Sequence, residues 1–261
     1  MTASRTTSDK PRYGTWIRTR RLQLFVVLSA AFLLASLLGL RSPWWWLLLA
    51  PAAAFGYIAV VLILTTYRFR HGAQQQIHEL LAREVSGMSG RILDVGCGSG
   101  ALVVAVARAA PGATVVGADT WGEQWEYSQA QCETNARLEG VDDRVAFRRA
   151  TASDLPFADG ELDAVVSCLT FHEVRECDDR AEPLAEALRV LRPGGRFAFL
   201  DLFADPALFA SLTHVREVVV RSGCELTTDE PLATLMPLPF PLGGSQVLGH
   251  ARLMTGTRLL G

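Results

Sequence analysis

The chain has 261 residues, 49% of them hydrophobic and 20% charged, with a formal charge of −2. That length favours one compact domain with something added, and the charge argues against a nucleic-acid partner, which needs a cationic surface. The charge is unevenly spread: residues 1–21 hold Arg5, Lys10, Arg12, Arg18, Arg20 and Arg21 against Asp9, a net +5 that leaves −7 for the remainder.

Leu22–Leu40 is uncharged over 19 residues and Trp44–Leu64 over 21. At about 1.5 Å of rise per residue, each as a helix matches a hydrocarbon core of about 30 Å. Only Arg41, Ser42 and Pro43 separate them, so the pattern predicts a transmembrane helical hairpin. A signal peptide has a shorter apolar core, about 7–15 residues, with no second span directly behind it. Pro51 is expected to kink the second span, and Trp44, Trp45, Trp46 and Tyr67 mark its ends, where aromatics favour the interface. Basic residues flank both outer ends, with Arg68 and Arg70 after the second span. Both termini are therefore expected in the cytoplasm, in a multi-pass cell-membrane protein. The expected division is a basic tail over 1–21, the hairpin over 22–66 and a catalytic domain over 67–261.

Past the hairpin, strand-like and helix-like runs alternate. Helices are expected over Tyr67–Val85, Ser99–Ala109, Glu123–Glu139, Arg180–Leu191 and Pro206–Arg221. Strands are expected over Arg91–Val95, Ala113–Ala118, Val145–Arg149, Leu162–Cys168, Arg196–Leu200, Cys224–Thr228 and Gln246–Met254, with a Pro-rich loop over Met236–Leu242. The alternation predicts an α/β fold, a doubly wound, mostly parallel seven-stranded sheet of Rossmann-like form, with ligands at the carboxyl ends of its strands. The five cysteines (Cys97, Cys132, Cys168, Cys177, Cys224) form no C-x-x-C pair and read as free thiols, with no metal set. A single lysine against 24 arginines fits a GC-rich bacterial coding sequence.

Chemistry concentrates after the first strand of the domain, in Ile92-Leu93-Asp94-Val95-Gly96-Cys97-Gly98-Ser99-Gly100. The glycines allow a sharp turn and close approach of a ligand to the backbone, at the positive end of the next helix. The spacing Gly96-x-Gly98-x-x-Ala101 also fits the dinucleotide fingerprint, so an NAD(P)-dependent oxidoreductase is an alternative. Asp94 weighs against it: a buried anion there would repel a pyrophosphate and suit a cationic ligand.

The motif resembles D-x-G-x-G-x-G of the class I S-adenosylmethionine (SAM)-dependent methyltransferases, in their small-molecule and quinone branch. The resemblance runs from about residue 70 to the end. Val115-Val116-Gly117-Ala118-Asp119 ends a second strand in an acid, which in that family binds the ribose hydroxyls. Ala152-Ser153-Asp154-Leu155-Pro156-Phe157 followed by Asp159–Val166 resembles the family's adenine-side loop, and Leu191-Arg192-Pro193-Gly194-Gly195 its turn before strand five. The resemblance implies SAM as cofactor, held by Asp94, Gly96, Cys97, Gly98, Gly100, Asp119, Thr120, Trp121, Ser153, Asp154, Leu155 and Cys168. Trp121 is open between core packing and the adenine face. Trp121 and Trp125 fall on one helical stripe with Cys132 and Ala136, and Trp125 is expected in the core.

Ser167-Cys168-Leu169-Thr170 stands where many amino methyltransferases carry Asn-Pro-Pro-Tyr, which argues against a planar nitrogen acceptor. Thr170-Phe171-His172-Glu173-Val174 resembles the "L-H-H" region of small-molecule and quinone methyltransferases. His172 is the candidate base toward a hydroxyl or activated carbon. With the hairpin, the expected function is methyl transfer from SAM to a small, lipid- or quinone-like acceptor at the cytosolic membrane face. A membrane protein that only binds SAM is a further alternative.

Overall fold

The computed structural model describes residues 10–40, 42, 44–122 and 127–260. The chain forms two compact units. One holds Thr15–Gln74 with Pro239–Leu242; the other takes in Gln75–Leu238, Gly243–Gly261 and the N-terminal stretch through Gly14.

In the first unit, α1 (Thr19–Leu38) and α2 (Leu49–Arg68) are both long and apolar enough to cross a membrane. Arg41 and Pro43 of the expected connection lie outside the described residues. The helices bury small groups: Ser36, Ala52 and Ala59 are buried, and Ser29 Oγ donates to the Ala52 carbonyl at 3.0 Å. Phe32 stacks on Phe55 with ring centroids 5.6 Å apart. Leu33, Leu34, Leu37, Val60 and Ile63 point outward. Pro51 sits in the first turn of α2, where its missing N–H removes no helical bond, so it does not make the expected kink. The expected helix over Tyr67–Val85 is broken instead at Gly72, which has φ of +110°, and resumes as α3 (Gln74–Glu84).

The second unit carries β1 (Ser89–Val95), α4 (Ala101–Ala109), β2 (Gly112–Asp119), α5 (Gln129–Leu138), β3 (Val145–Arg149), β4 (Leu162–Cys168), α6 (Glu182–Arg189), β5 (Leu191–Asp201), α7 (Leu212–Arg221), β6 (Cys224–Pro231), α8 (Leu232–Leu235) and β7 (Arg252–Arg258). The seven strands lie in the order β3-β2-β1-β4-β5-β7-β6, with only β7 antiparallel to its neighbours. This is the expected Rossmann-like sheet. β4 is buried nearly throughout, as a central parallel strand covered on both faces must be. Phe171, Phe197, Phe199, Phe203 and Phe209 are buried in the core, Phe171 and Phe197 each packed on Phe199 at 5.1–5.2 Å.

Several boundaries differ from the sequence reading. Residues 123–126, including Trp125, lie outside the described residues; α5 starts only at Gln129, where Ser128 Oγ caps the helix by accepting from Gln131 N. That cap is the stronger start signal, because it satisfies an orphan donor. Pro193-Gly194-Gly195 does not separate a helix from a strand. It lies inside β5 at a register irregularity, where pairing jumps from Leu162–Leu191 to Ala164–Arg196. α7 starts at its own serine cap, Ser211, five residues after the expected Pro206. The last strand runs later than Gln246–Met254, over Arg252–Arg258.

Candidate active site

The order of strands reverses at β1: β2 and β3 lie on one side of it and β4 on the other, with β1 parallel to both of its neighbours. Such a reversal opens a crevice at the strand carboxyl ends. Asp94 and the glycine turn lie there on β1, Asp119 on β2, Cys168 on β4 and Asp201 on β5.

Asp94 is buried, and neither of its carboxylate oxygens has a hydrogen-bond partner among the described residues. Burial, and then the charge of Asp119, pushes its pKa well above the ordinary carboxylate value. A buried polar group without partners is costly and needs an explanation; a cationic ligand would supply one. The turn above it is built for close approach. Gly96 has φ of +76°, and a Cβ there would overlap the Thr170 side chain. Gly98 has φ of +53°, again the left-handed region that other residues seldom adopt. Gly100 caps α4 in the same conformation.

Asp119 is half-buried and braces this turn. Its oxygens accept from Gly98 N at 2.8 Å and Trp121 N at 2.7 Å. A carboxylate has about four acceptor sites, so two backbone bonds leave capacity for ligand hydroxyls. Trp121 is buried, has φ of +44° and donates its indole N–H to the Gly98 carbonyl at 3.0 Å. It therefore belongs to the turn rather than to a helical stripe. Thr120 beside it is exposed. Cys97 is buried, with burial raising its thiol pKa, and Cys132 Sγ contacts the Gly98 carbonyl at 3.1 Å.

The loop after β3 presents Asp154, which is exposed. Ser153 Oγ bonds Glu176 at 2.8 Å and Thr151 Oγ1 at 2.9 Å. The Leu155 amide donates to Glu186 at 2.7 Å, so that N–H is already used within the protein.

On the other side of the crevice, Asp201 is fully buried and fully partnered. It accepts from Phe171 N and Leu202 N, each at 2.7 Å, from His172 N at 3.4 Å and from His172 Nδ1 at 2.5 Å. A carboxylate only accepts, so Nδ1 carries the proton and Nε2 of a neutral ring keeps its lone pair. Burial works against charging the ring, but the Asp201 charge and hydrogen bond, followed by Glu173, hold the His172 pKa above its ordinary value. Cys168 is buried between the halves. Burial first, then the charges of Asp94 and Asp201, push its thiol pKa up, which leaves it an inert neutral wall.

Asp201, Thr170, Glu176 and Glu186 escaped the sequence reading. Only Asp201 carried a signal: like Asp94 and Asp119, it ends or nearly ends an apolar strand.

Residues 93–199 match a family described as "Methyltransferase domain". This segment is similar to a methyltransferase domain. Its relatives include "Methyltransferase GfsG" of Streptomyces halstedii, 37% identical over 142 residues, which is 54% of this chain and 47% of the relative. "Demethylmenaquinone methyltransferase" of Clavibacter sepedonicus is 39% identical over 125 residues, 48% of this chain and 46% of that one. The chain spans about half the length of the curated relatives it matches. In fold it is similar to a geranyl diphosphate methyltransferase solved with SAM, with a TM-score of 0.57 at 20% identity over 76% of this chain and 88% of that one. The methyltransferase-like segment thus has a buried carboxylate, unpartnered among the described residues, beneath its glycine turn and a histidine–carboxylate pair across the crevice.

Proposed function

We propose that the protein is a membrane-anchored methyltransferase that methylates a hydroxyl or activated carbon on a small, quinone- or lipid-like acceptor at the cytosolic face. The observation that carries this reading is the His172–Asp201 pair, a half-buried base held in one tautomer at the strand ends.

SAM supplies a methyl on a positively charged sulfur when bound. Asp94 receives the cationic methionine end of the ligand, and the turn over Gly96, Cys97, Gly98 and Gly100 gives it backbone contact. Asp119, with Thr120 and Trp121 beside it, faces the ribose; Asp154 and Ser153 line the adenine side and Cys168 the floor. His172 Nε2 takes the acceptor's proton as the new bond to the methyl carbon forms and the sulfur–methyl bond breaks. Asp201 holds the ring and stabilises its charged form. Because the sulfonium is already a reactive donor, positioning supplies much of the rate.

The acceptor class is supported by the name of the demethylmenaquinone relative and by the first unit. Its helices bury serine and alanine and expose leucine, isoleucine and valine, the pattern of a hairpin packed through small residues in lipid. In water the same surface would be an aggregation hazard. Arg18, Arg20 and Arg21 before α1 and Arg68 and Arg70 after α2 favour cytoplasmic ends.

The test uses full-length protein in lipid vesicles with methyl-labelled SAM and a panel of phenols, quinols and hydroxylated lipids. Label should appear in the organic phase with matching S-adenosylhomocysteine, and the protein should stay with the vesicles through an alkaline wash. Cofactor binding without methyl transfer to any of these acceptors would favour a SAM-binding protein without this activity.

A further inference from the structure

Ahead of α1, a short strap of chain docks on the methyltransferase unit. Arg12 N–H donates to Asn135 Oδ1 at 2.8 Å, and Asn135 Nδ2 donates back to the Arg12 carbonyl at 2.9 Å. The same amide group donates to the Ser99 carbonyl at 2.9 Å. Gly14 N–H donates to Ser99 Oγ at 3.3 Å, Gln131 Nε2 to the Arg12 carbonyl at 2.6 Å, and the Tyr13 hydroxyl to Glu139 at 3.0 Å. A Cβ on Gly98 would stand 3.5 Å from the Tyr127 ring, and one on Gly14 would overlap that ring. Tyr127 is therefore wedged between strap and glycine turn.

Asn135 is buried, at 1% exposure. Its oxygen and both its amide hydrogens are used, two of the three bonds on the strap and one on the turn. Lifting the strap away would orphan buried polar atoms, which costs more than the bonds are worth in isolation. Ser99 has Gly98, braced by Asp119, on one side and Gly100, the cap of α4, on the other. A force on Ser99 thus acts on the whole turn.

We propose that residues 10–14 clamp the glycine turn in its cofactor-binding shape, with Asn135 as the positioning residue that joins the two. The proposal rests on the reading of that turn as the SAM cradle. The strap runs on to α1 within a few residues, so cofactor affinity depends on the segment that leads into the hairpin. When the strap is released, only a fraction of molecules holds the competent turn, and apparent affinity falls by that fraction.

The test is calorimetric titration of full-length, detergent-solubilised protein with S-adenosylhomocysteine, together with steady-state kinetics. Asn135→Ala and Gly14→Ala should each weaken binding and raise the KM for SAM about tenfold, leaving kcat at saturating SAM unchanged. Amide exchange over residues 97–100 should speed up. If Asn135→Ala fails to fold, Gly14→Ala decides, since its added methyl would overlap the Tyr127 ring and push the strap away without removing a buried polar group. Wild-type affinity in the variants, or a loss of kcat with KM unchanged, would overturn the clamp. Wild-type protein that binds no S-adenosylhomocysteine would overturn the cradle reading, and the clamp with it.

Discussion

Two buried aspartates stand at the strand ends on either side of the crevice, and they are opposites. Asp94 on β1 has no partner for either oxygen, and its burial and the nearby Asp119 disfavour its charge. Asp201 on β5 is equally buried but accepts from two backbone amides at 2.7 Å and from the His172 ring. A carboxylate left unsatisfied is costly in its charged form unless something outside the chain completes it. A saturated one has no capacity to spare and instead orients what it touches. Under the proposed function the two halves of the crevice divide the work: one receives a ligand, the other aims a base.

The largest effect should come from the unpartnered side. Asp94→Asn keeps the shape but removes the charge, and SAM affinity should fall about 100-fold by calorimetry. Because burial raises the Asp94 pKa, a bound cation lowers it again and releases protons. Wild-type binding heats should then vary with the buffer's ionisation enthalpy, and affinity should weaken as pH falls. Buffer-independent heats would break the contrast between the two aspartates.

A smaller loss should follow from Asp201→Asn. The amide keeps an acceptor but permits the wrong tautomer, so kcat should drop about tenfold to a hundredfold with S-adenosylhomocysteine affinity unchanged. Adding His172→Ala should cost little more, since the two act as one device. Fully additive losses would separate them.

The subtlest effect is on pH. His172 must be neutral to accept a proton, and its pKa is raised above 6.5. The acid limb of kcat against pH should have its midpoint above 6.5 and move down in Asp201→Asn. The sign is opposite for stability. The charged pair contributes fully below the ordinary histidine value, and its contribution is lost as pH rises through the raised one.

Much of the fold was legible in the chain itself. Alternating apolar runs gave the seven strands because each strand's burial is written in its own residues, and two uncharged stretches gave the two long helices. Asp94, the glycines and Asp119 were legible because a turn that needs positive φ beside a strand-end acid is a local demand. Boundaries set by competing local signals were less so. Pro193-Gly194-Gly195 looks like a break, yet β5 carries it as an irregularity because its neighbours hold the strand in place. Trp121 looks helical by spacing, yet its indole is held by Gly98, 23 residues away.

The sequence by itself determined the sheet, the apolar helices and the cradle, since each depends on residues close along the chain. Only the tertiary structure decided which carboxylate would be left alone. It brought Asp201 to His172 across 29 residues and Arg12 to Asn135 across 123, and it left Asp94 without a hydrogen-bond partner among the described residues. Those outcomes depend on what surrounds a buried oxygen, and burial brings together partners that no local pattern names.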